Sequence, residues 1–323
     1  MDKSKKANKV ELSIIVAMYN EEAVIPAFFE KILSILTNMQ VTYEIVCVDD
    51  GSTDTTLSLL YQFSQPNERI KVISFSRNFG KEIALSAGLD FATGQAVVFI
   101  DADLQDPPEL IEQFYARWKE GYENVYGTRL LRKSDSFLKR TTARLFYTIF
   151  NKLSETPMPP NAGDFRLLGP KAIKALKRIR EKRRFMKGLY TWVGFKSIGI
   201  PYERQKRFAG RSKFTFWSLW NFALEGITSH SSILIRSWTY LGLISVILAL
   251  VLAIHLLIDY FVSNNNPNGF YLTILTILFF GSVQITSLGI IGEYIARIHE
   301  EFKGRPLYIV EQTYNLEGQE EDV

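Results

Sequence analysis

The chain has a single cysteine, Cys47, among its 323 residues. No disulfide can close within it, which fits a reducing compartment and excludes a small disulfide-stapled scaffold. Cys47 lies in the apolar run "YEIVCVDD" and reads as a small buried hydrophobe. Two phosphate-binding signatures are also missing. With no G-x-x-x-x-G-K-[ST] and no G-x-G-x-x-G, the chain is neither an ordinary P-loop nucleotidase nor a dinucleotide dehydrogenase. Neither charge dominates: 38 Lys and Arg against 34 Asp and Glu leave +4. Nothing in that balance demands a nucleic acid partner. The opening "MDKSKKANKVELSIIV" is basic but has no long apolar core and no small-residue cleavage site, so no signal peptide is expected.

Charge vanishes altogether in two places. No Asp, Glu, Lys or Arg occurs between Arg236 and Asp259, or between Asp259 and Glu293. "SWTYLGLISVILALVLAIHLLI" and "GFYLTILTILFFGSVQITSLGII" each reach the ~20 apolar residues a helix needs to cross a bilayer. The linker "DYFVSNNNPNG" is short and polar, which predicts a hairpin of two spans over 233–262 and 269–292. The linker carries no Lys or Arg, whereas Arg236 precedes the first span and Arg297, Lys303 and Arg305 follow or end the second. The positive-inside rule then puts the N-terminal domain (1–214) and the tail (293–323) in the cytoplasm, at a cell membrane. The aromatic stretch "FTFWSLWNFALEGI", within 215–232, reads as a helix lying in the membrane interface. A buried hairpin inside a soluble core is the competing reading of the two runs.

Before residue 120, short apolar runs alternate with amphipathic ones. "ELSIIVAMY", "YEIVCVDD", "IKVISFS" and "AVVFIDAD" read as strands. Between them, Val24, Ile25, Phe28, Phe29, Ile32, Leu33 and Leu36 recur at helical spacing, and "GSTDTTLSLLYQF" and "GKEIALSAGLDFA" open further helices. Ser52 and Asp54 are cap candidates for the second of these helices, and Pro107 falls near the first turn of the fourth. Such alternation predicts a parallel α/β sheet, with ligands beyond the carboxyl ends of its strands. Asn20 and Glu21, Asp49 and Asp50, Arg77 and Asn78, and Asp101 and Asp103 all fall there.

Asp101 and Asp103 stand at i and i+2, so in an extended segment both carboxylates point one way. Two close carboxylates repel, and a divalent cation relieves the cost. Hard oxygen ligands suit Mg²⁺ or Mn²⁺, with Gln105 able to add a carbonyl oxygen. A cation held by few protein ligands implies a diphosphate substrate. Asp106, ahead of Pro107 and Pro108, reads as the cap that sets where this loop points. The bland reading is that all these acids only cap the turn.

The ordered set "AMYNEE", "VDDGSTD", "SRNFGKE", "DADLQDPPE", "GTR", "AGDFRLL" and "GRSKF", followed by two spans, resembles the family 2 glycosyltransferases of GT-A fold. Within them it is similar to the polyisoprenyl-phosphate glycosyltransferases, namely the dolichyl-phosphate mannose synthases and bactoprenol glucosyltransferases. The resemblance implies a Rossmann-like GT-A domain with a two-helix transmembrane hairpin. It implies that Ala17, Tyr19, Glu21 and Asp50 line a nucleotide pocket, joined by Asp101 and Ala102. Relatives often carry Pro where Ala17 stands, and a backbone contact would survive that change. Asp101, Asp103 and Gln105 would hold Mg²⁺ or Mn²⁺ on the sugar-nucleotide diphosphate. Arg129 and Arg140, or Lys139 beside it, would bind the lipid phosphate. Arg211 and Lys213 would bind phosphate charge of the nucleotide sugar near the membrane. Asp103, Asp164 and Arg129 would be the catalytic set, with Asp164 orienting the sugar rather than acting as base. The implied reaction moves glucose from UDP-glucose to undecaprenyl phosphate with inversion, for a cell-surface polymer. GlcNAc, galactose and mannose stay open as sugars. The resemblance also implies a homo-oligomer. A processive polysaccharide synthase would carry Q-x-x-R-W, which "RQKRF" at 204–208 is not, and a non-catalytic scaffold would not need the acids.

Overall fold

A computed structural model describes residues 9–130, 159, 161–182, 184–205, 242, 244–245, 247–248, 250–251, 254–255, 258 and 269–316. The chain forms two compact units. The first spans the residues up to 229 and takes up the chain again from Arg305. Its first half alternates as the sequence predicts. The order is β1 (Leu12–Met18), α1 (Ile25–Asn38), β2 (Tyr43–Asp49), α2 (Thr56–Ser64), β3 (Ile70–Phe75), α3 (Lys81–Phe91), β4 (Ala96–Phe99) and α4 (Leu110–Lys119). The strands are apolar on both faces because helices cover both. Ile14 and Val16 of β1 pack with Phe28, Phe29 and Ile32 of α1, while Ile15 packs with Ala84 and Leu85 of α3. Cys47 is fully buried in β2, and burial pushes its thiol up to about 12, so it is an inert core group.

The sheet is mixed rather than parallel. Further along come β5 (Asn124–Arg129), β6 (Ala162–Leu168), α5 (Pro170–Arg178), α6 (Met186–Trp192) and β7 (Ser197–Tyr202). The eight strands lie in the order β7-β5-β6-β4-β1-β2-β3-β8. β3, β2, β1 and β4 are parallel, and β6 runs antiparallel to both β4 and β5. The last strand, β8 (Val310–Tyr314), comes from the segment expected as a tail. It pairs antiparallel with β3, and Asn315 donates its side-chain N–H groups to the Ser64 and Ile70 carbonyls. Tyr308, just ahead of β8, stacks on Phe75 and donates to Asp90. The two ends of the described sequence therefore belong to one sheet.

At the amino end of the strands, buried Glu44 accepts from Ser13, Lys71 and Thr93. These contacts tie β1, β2, β3 and the α3–β4 loop together.

The second unit covers 230–304. It holds α7 (Gly269–Phe302), which runs past the predicted span end at 292. The sequence predicts two spans. Among the described residues, one helix is long and apolar enough to cross a membrane, over Phe279–Phe302. Apolar side chains along it are exposed, including Ile285 at 73% and Leu288 at 61%. The described residues between 242 and 258 are helical, while most of 233–262 lies outside the described set. So do the expected interfacial helix at 215–232 and the residues Lys139, Arg140, Arg211 and Lys213.

Candidate active site

The loops leaving β1 and β2 are tied to each other by side chain to backbone bonds. Asn20 takes a positive φ of 52°, a conformation asparagine tolerates better than most residues. Its N–H donates to Ser52 Oγ at 2.9 Å, and its Oδ1 accepts from the Thr53 N–H at 2.8 Å. The Glu21 N–H donates to Thr56 Oγ1 at 2.8 Å. Glu22 Oε2 accepts from the Thr55 N–H and hydroxyl. Ser52 is thus spent on Asn20, not on capping α2. Asp54 Oδ1 accepts from the Thr56 N–H at 3.0 Å, one residue outside the α2 cap position Thr55.

Asp50 fixes the next loop. Its carboxylate accepts the Phe79 N–H at 2.6 Å and the Gly80 N–H at 2.9 Å. Burial raises its pKa, and those two N–H groups work against the rise. Gly51 is required here, since a Cβ would lie 2.5 Å from the Arg77 carbonyl carbon. Gly80 has φ +99°, a region open to glycine. The bend it makes starts α3 at Lys81 and aims that side chain across the sheet's carboxyl end.

Lys81 lands between two acids. Its Nζ is 2.6 Å from Asp101 Oδ1 and 3.2 Å from Asp164 Oδ2. The β4–β6 pairing explains the meeting. Phe99, the last residue of β4, lies opposite Arg166 in an antiparallel register, and the same register carried two residues further would set Asp101 against Asp164. Burial would push the Asp164 carboxyl up, but the charges of Lys187, Lys81 and Arg166 outweigh it and hold the group well below the usual carboxylate range. Arg166 is itself buried and lies over the Tyr190 ring at 3.7 Å. Asp164 Oδ1 is buried with no hydrogen-bond partner among the described residues. A buried acceptor left this way is a place for a donor from a ligand.

A second acid of the same loop is used differently. Asp106 is not the cap of α4; that position is Glu109, and no side chain caps the helix. Pro107 and Pro108 make a turn first, with the Pro107 carbonyl accepting the Leu110 N–H. Asp106 instead points into the protein, where the Tyr202 hydroxyl and Arg129 Nη2 donate to it. Arg129 Nε also donates to the Tyr202 oxygen at 3.1 Å. Its guanidinium passes over Gly163, where a Cβ would come within 3.1 Å. Arg129, next to the Asp164 strand end, is therefore a positioned cation and not a loose surface one.

The remaining expected positions distribute as follows. Ala17 pairs with Val48 inside the sheet, and Tyr19 follows β1 directly. Ala102 is buried, as is Asp103, whose Oδ1 accepts the Gln105 N–H at 3.1 Å. Leu104 between them takes φ 55°, which bends the chain so that the loop folds on Asp103. The structure thus brings Asp50, Asp101 and Asp164 together through Lys81 and its loop. The sequence alone gives Lys81 no role, although it stands in "SRNFGKE". A lysine at a helix start reads as solvated unless the register of β6 against β4 is known.

Asp101 and Asp103 offer carboxylate oxygens of the kind a divalent cation takes. Both follow β4, and Asp101 already carries a cationic group at 2.6 Å. Among the described residues no group of three or more His, Cys, Asp or Glu could hold a metal. Two carboxylates suit an ion that takes its other ligands from substrate phosphates.

A twisted α/β sheet with acids gathered beyond the carboxyl end of β4 is the Rossmann-like GT-A arrangement of nucleotide-sugar transferases. Comparison with known proteins agrees. The family model for glycosyl transferase family 2 matches residues 13–176. An uncharacterized glycosyltransferase of Synechocystis sp. is 48% identical over 95% of this chain and 97% of its own. A prophage-derived bactoprenol glucosyl transferase of Shigella flexneri is 41% identical over 94% of this chain and 99% of its own. The chain belongs to glycosyl transferase family 2. Among solved structures, glucosyl-3-phosphoglycerate synthase from Mycobacterium tuberculosis covers 68% of this chain and 77% of its own, with 17% identity and a TM-score of 0.45. That likeness is too loose to carry any residue's role across.

Proposed function

We propose that this glycosyltransferase moves glucose from UDP-glucose onto a polyisoprenyl phosphate, undecaprenyl phosphate, at the cytoplasmic face of a membrane. The product is a lipid-phosphate-linked sugar used to modify a cell-surface polymer. The observation that carries the reading is the convergence of Asp101 and Asp164 on Lys81 beside Arg129, in a chain with a long, exposed apolar helix. Bactoprenol glucosyl transferases of similar length, matched nearly end to end, support glucose and the lipid acceptor.

Connectivity supports a second span. Strand β8 follows α7 in the chain yet pairs with β3, so both ends of α7's chain path lead to one domain. If α7 crosses the membrane, residues 206–268 must cross it once more to bring the chain back. This favours the hairpin over 233–262 and 269–292, with the interfacial helix at 215–232 and both termini in the cytoplasm.

The chemistry follows from the acceptor. A phosphate monoester is anionic near neutral pH, and its oxygen attacks the anomeric carbon as the bond from that carbon to the diphosphate oxygen breaks and UDP leaves, inverting that centre in one displacement. It needs little help from a base, which suits Asp164. A carboxyl held far below its usual range is a weak base, but its ionised oxygen and partnerless Oδ1 can accept sugar hydroxyls. Arg129, locked by Asp106 and Tyr202, would hold the acceptor phosphate, with Arg140 or Lys139 beside it and Arg211 and Lys213 taking phosphate charge of the nucleotide sugar. Asp101, Asp103 and Gln105 would hold Mg²⁺ or Mn²⁺, which neutralises charge on the diphosphate. The loops around Tyr19, Glu21 and Asp50 would shape the nucleotide pocket, with Ala17 and Ala102 beneath it. The rest of catalysis is positioning.

The test is transfer of labelled glucose from UDP-glucose to undecaprenyl phosphate by the full chain in detergent, with and without EDTA. Lipid-linked label that disappears with EDTA and returns with Mn²⁺ supports the reading. No transfer from UDP-glucose, UDP-GlcNAc, UDP-galactose or GDP-mannose under either condition would contradict it.

A further inference from the structure

Lys81 is a long cation shared by two acids with different prospects. Asp101 is 27% exposed and Asp164 16%, while Lys81 itself is 39% exposed. The Asp101 end of the bridge is the more open to solvent. The Asp164 end lies among further cations, with Arg166 and Lys187 acting on the same carboxylate. Lys81 has four rotatable side-chain bonds above a fixed backbone. Its Cα is held by α3, whose start Asp50 pins through the Phe79 and Gly80 N–H groups. The ammonium can therefore swing while its root stays in place.

We propose that Lys81 competes with the divalent cation for Asp101 and, once displaced, stays on Asp164. An ammonium and a divalent cation on one carboxylate repel each other, whichever of its two oxygens each takes. Arrival of the cation with its nucleotide diphosphate thus passes Asp101 to the metal and leaves Lys81 committed to Asp164. Loading of the donor and fixing of the sugar-side acid become one event. Without donor, the same lysine occupies Asp101 and keeps weakly bound cations out. Lys81 is a positioning residue in this scheme, acting through Asp101 and Asp164. The inference rests on the proposed cation role of Asp101 and deepens it.

The test is Mn²⁺ binding to the full-length protein in detergent, followed by electron paramagnetic resonance with UDP present and no acceptor. Wild type, Lys81→Met, Lys81→Arg and Asp101→Asn are compared, and glucose transfer is measured on the same samples. Lys81→Met should bind Mn²⁺ about fivefold more tightly, as expected on removing one partly exposed ion pair, yet turn over more slowly. Lys81→Arg should keep the weaker, wild-type-like Mn²⁺ affinity. A merely structural lysine would lower both quantities together. If Asp101→Asn abolishes Mn²⁺ binding while Lys81→Met leaves the affinity unchanged or weaker, the competition is overturned and the cation reading stands. If Asp101→Asn binds Mn²⁺ like wild type, the cation reading fails and the competition with it. Lys81→Gln replaces Lys81→Met if the latter does not fold.

Discussion

Asp101 and Asp106 leave the same strand end, and each holds a basic partner. Their settings differ sharply. Asp101 meets Lys81, and both side chains reach solvent, at 27% and 39% exposure. Asp106 meets Arg129 and Tyr202 with only 2% of its side chain exposed. An ion pair that solvent can reach is worth little to stability, and its partner can be exchanged. A buried carboxylate must keep its partners, because losing one strands a charge. The same residue type is thus in an exchangeable pair in one place and a locked one in the other. Sequence proximity does not separate these cases; burial and partner geometry do.

The sharpest way to break this contrast is to neutralise each acid in turn. Asp101→Asn should lower glucose transfer by about 10³, the loss typical when a group stabilising transition-state charge is removed. Its melting temperature should stay near that of wild type. Asp106→Asn should instead destabilise the catalytic unit by about 3 kcal/mol, because the buried pair is broken rather than exchanged. Thermal melting followed by intrinsic fluorescence checks both. Equal destabilisation by the two changes would erase the distinction.

A finer prediction concerns Glu82, next to Lys81 in the first turn of α3. Burial first, then the Asp164 charge, raises its carboxyl to about 7, against the pull of Lys81 and Lys187. Between its ordinary value of 4.5 and about 7, the folded state holds a proton that the unfolded state has lost. Stability should therefore fall as pH rises through that window and level off above it. Glu82→Gln should flatten the slope, read as melting temperature against pH. A slope unchanged in Glu82→Gln would assign it to other groups.

The smallest expected effect is at Tyr202. Tyr202→Phe removes one hydroxyl from the Asp106–Arg129 cluster and should cost about 1 kcal/mol of stability. Melting temperature measures it, and a loss as large as that of Asp106→Asn would mean that the hydroxyl, not the ion pair, holds the cluster.

The parallel half of the sheet was legible because each strand is a continuous apolar run and each helix shows its period. Flanking strands were not, since "NVYGTR" and "VEQTY" are short and carry polar residues, the first half-buried and the second largely exposed. β8 in particular finds its partner β3 only through the fold. The spacing of Asp101 and Asp103 suggests a cation site, and the structure adds Lys81 on Asp101. Asp106 misled, because an acid before two prolines looks like a helix cap until the turn between them is seen. The resemblance puts Asp50 of "VDDGSTD" in the nucleotide pocket, and the structure adds that its carboxylate holds two backbone N–H groups of the next loop. Lys81 could not be found at all without the register of β6 on β4. Local pattern identifies elements and motif acids, whereas their division between binding and support depends on contacts distant in sequence.

The most direct test of the central claim is mass spectrometry of the lipid after reaction with UDP-glucose and undecaprenyl phosphate, joined to proton NMR of the anomeric centre. The account predicts one hexose per lipid phosphate in the β configuration, inverted from the α-linked donor. A lipid bearing sugar chains, an α-linked product, or free glucose without lipid product would contradict it.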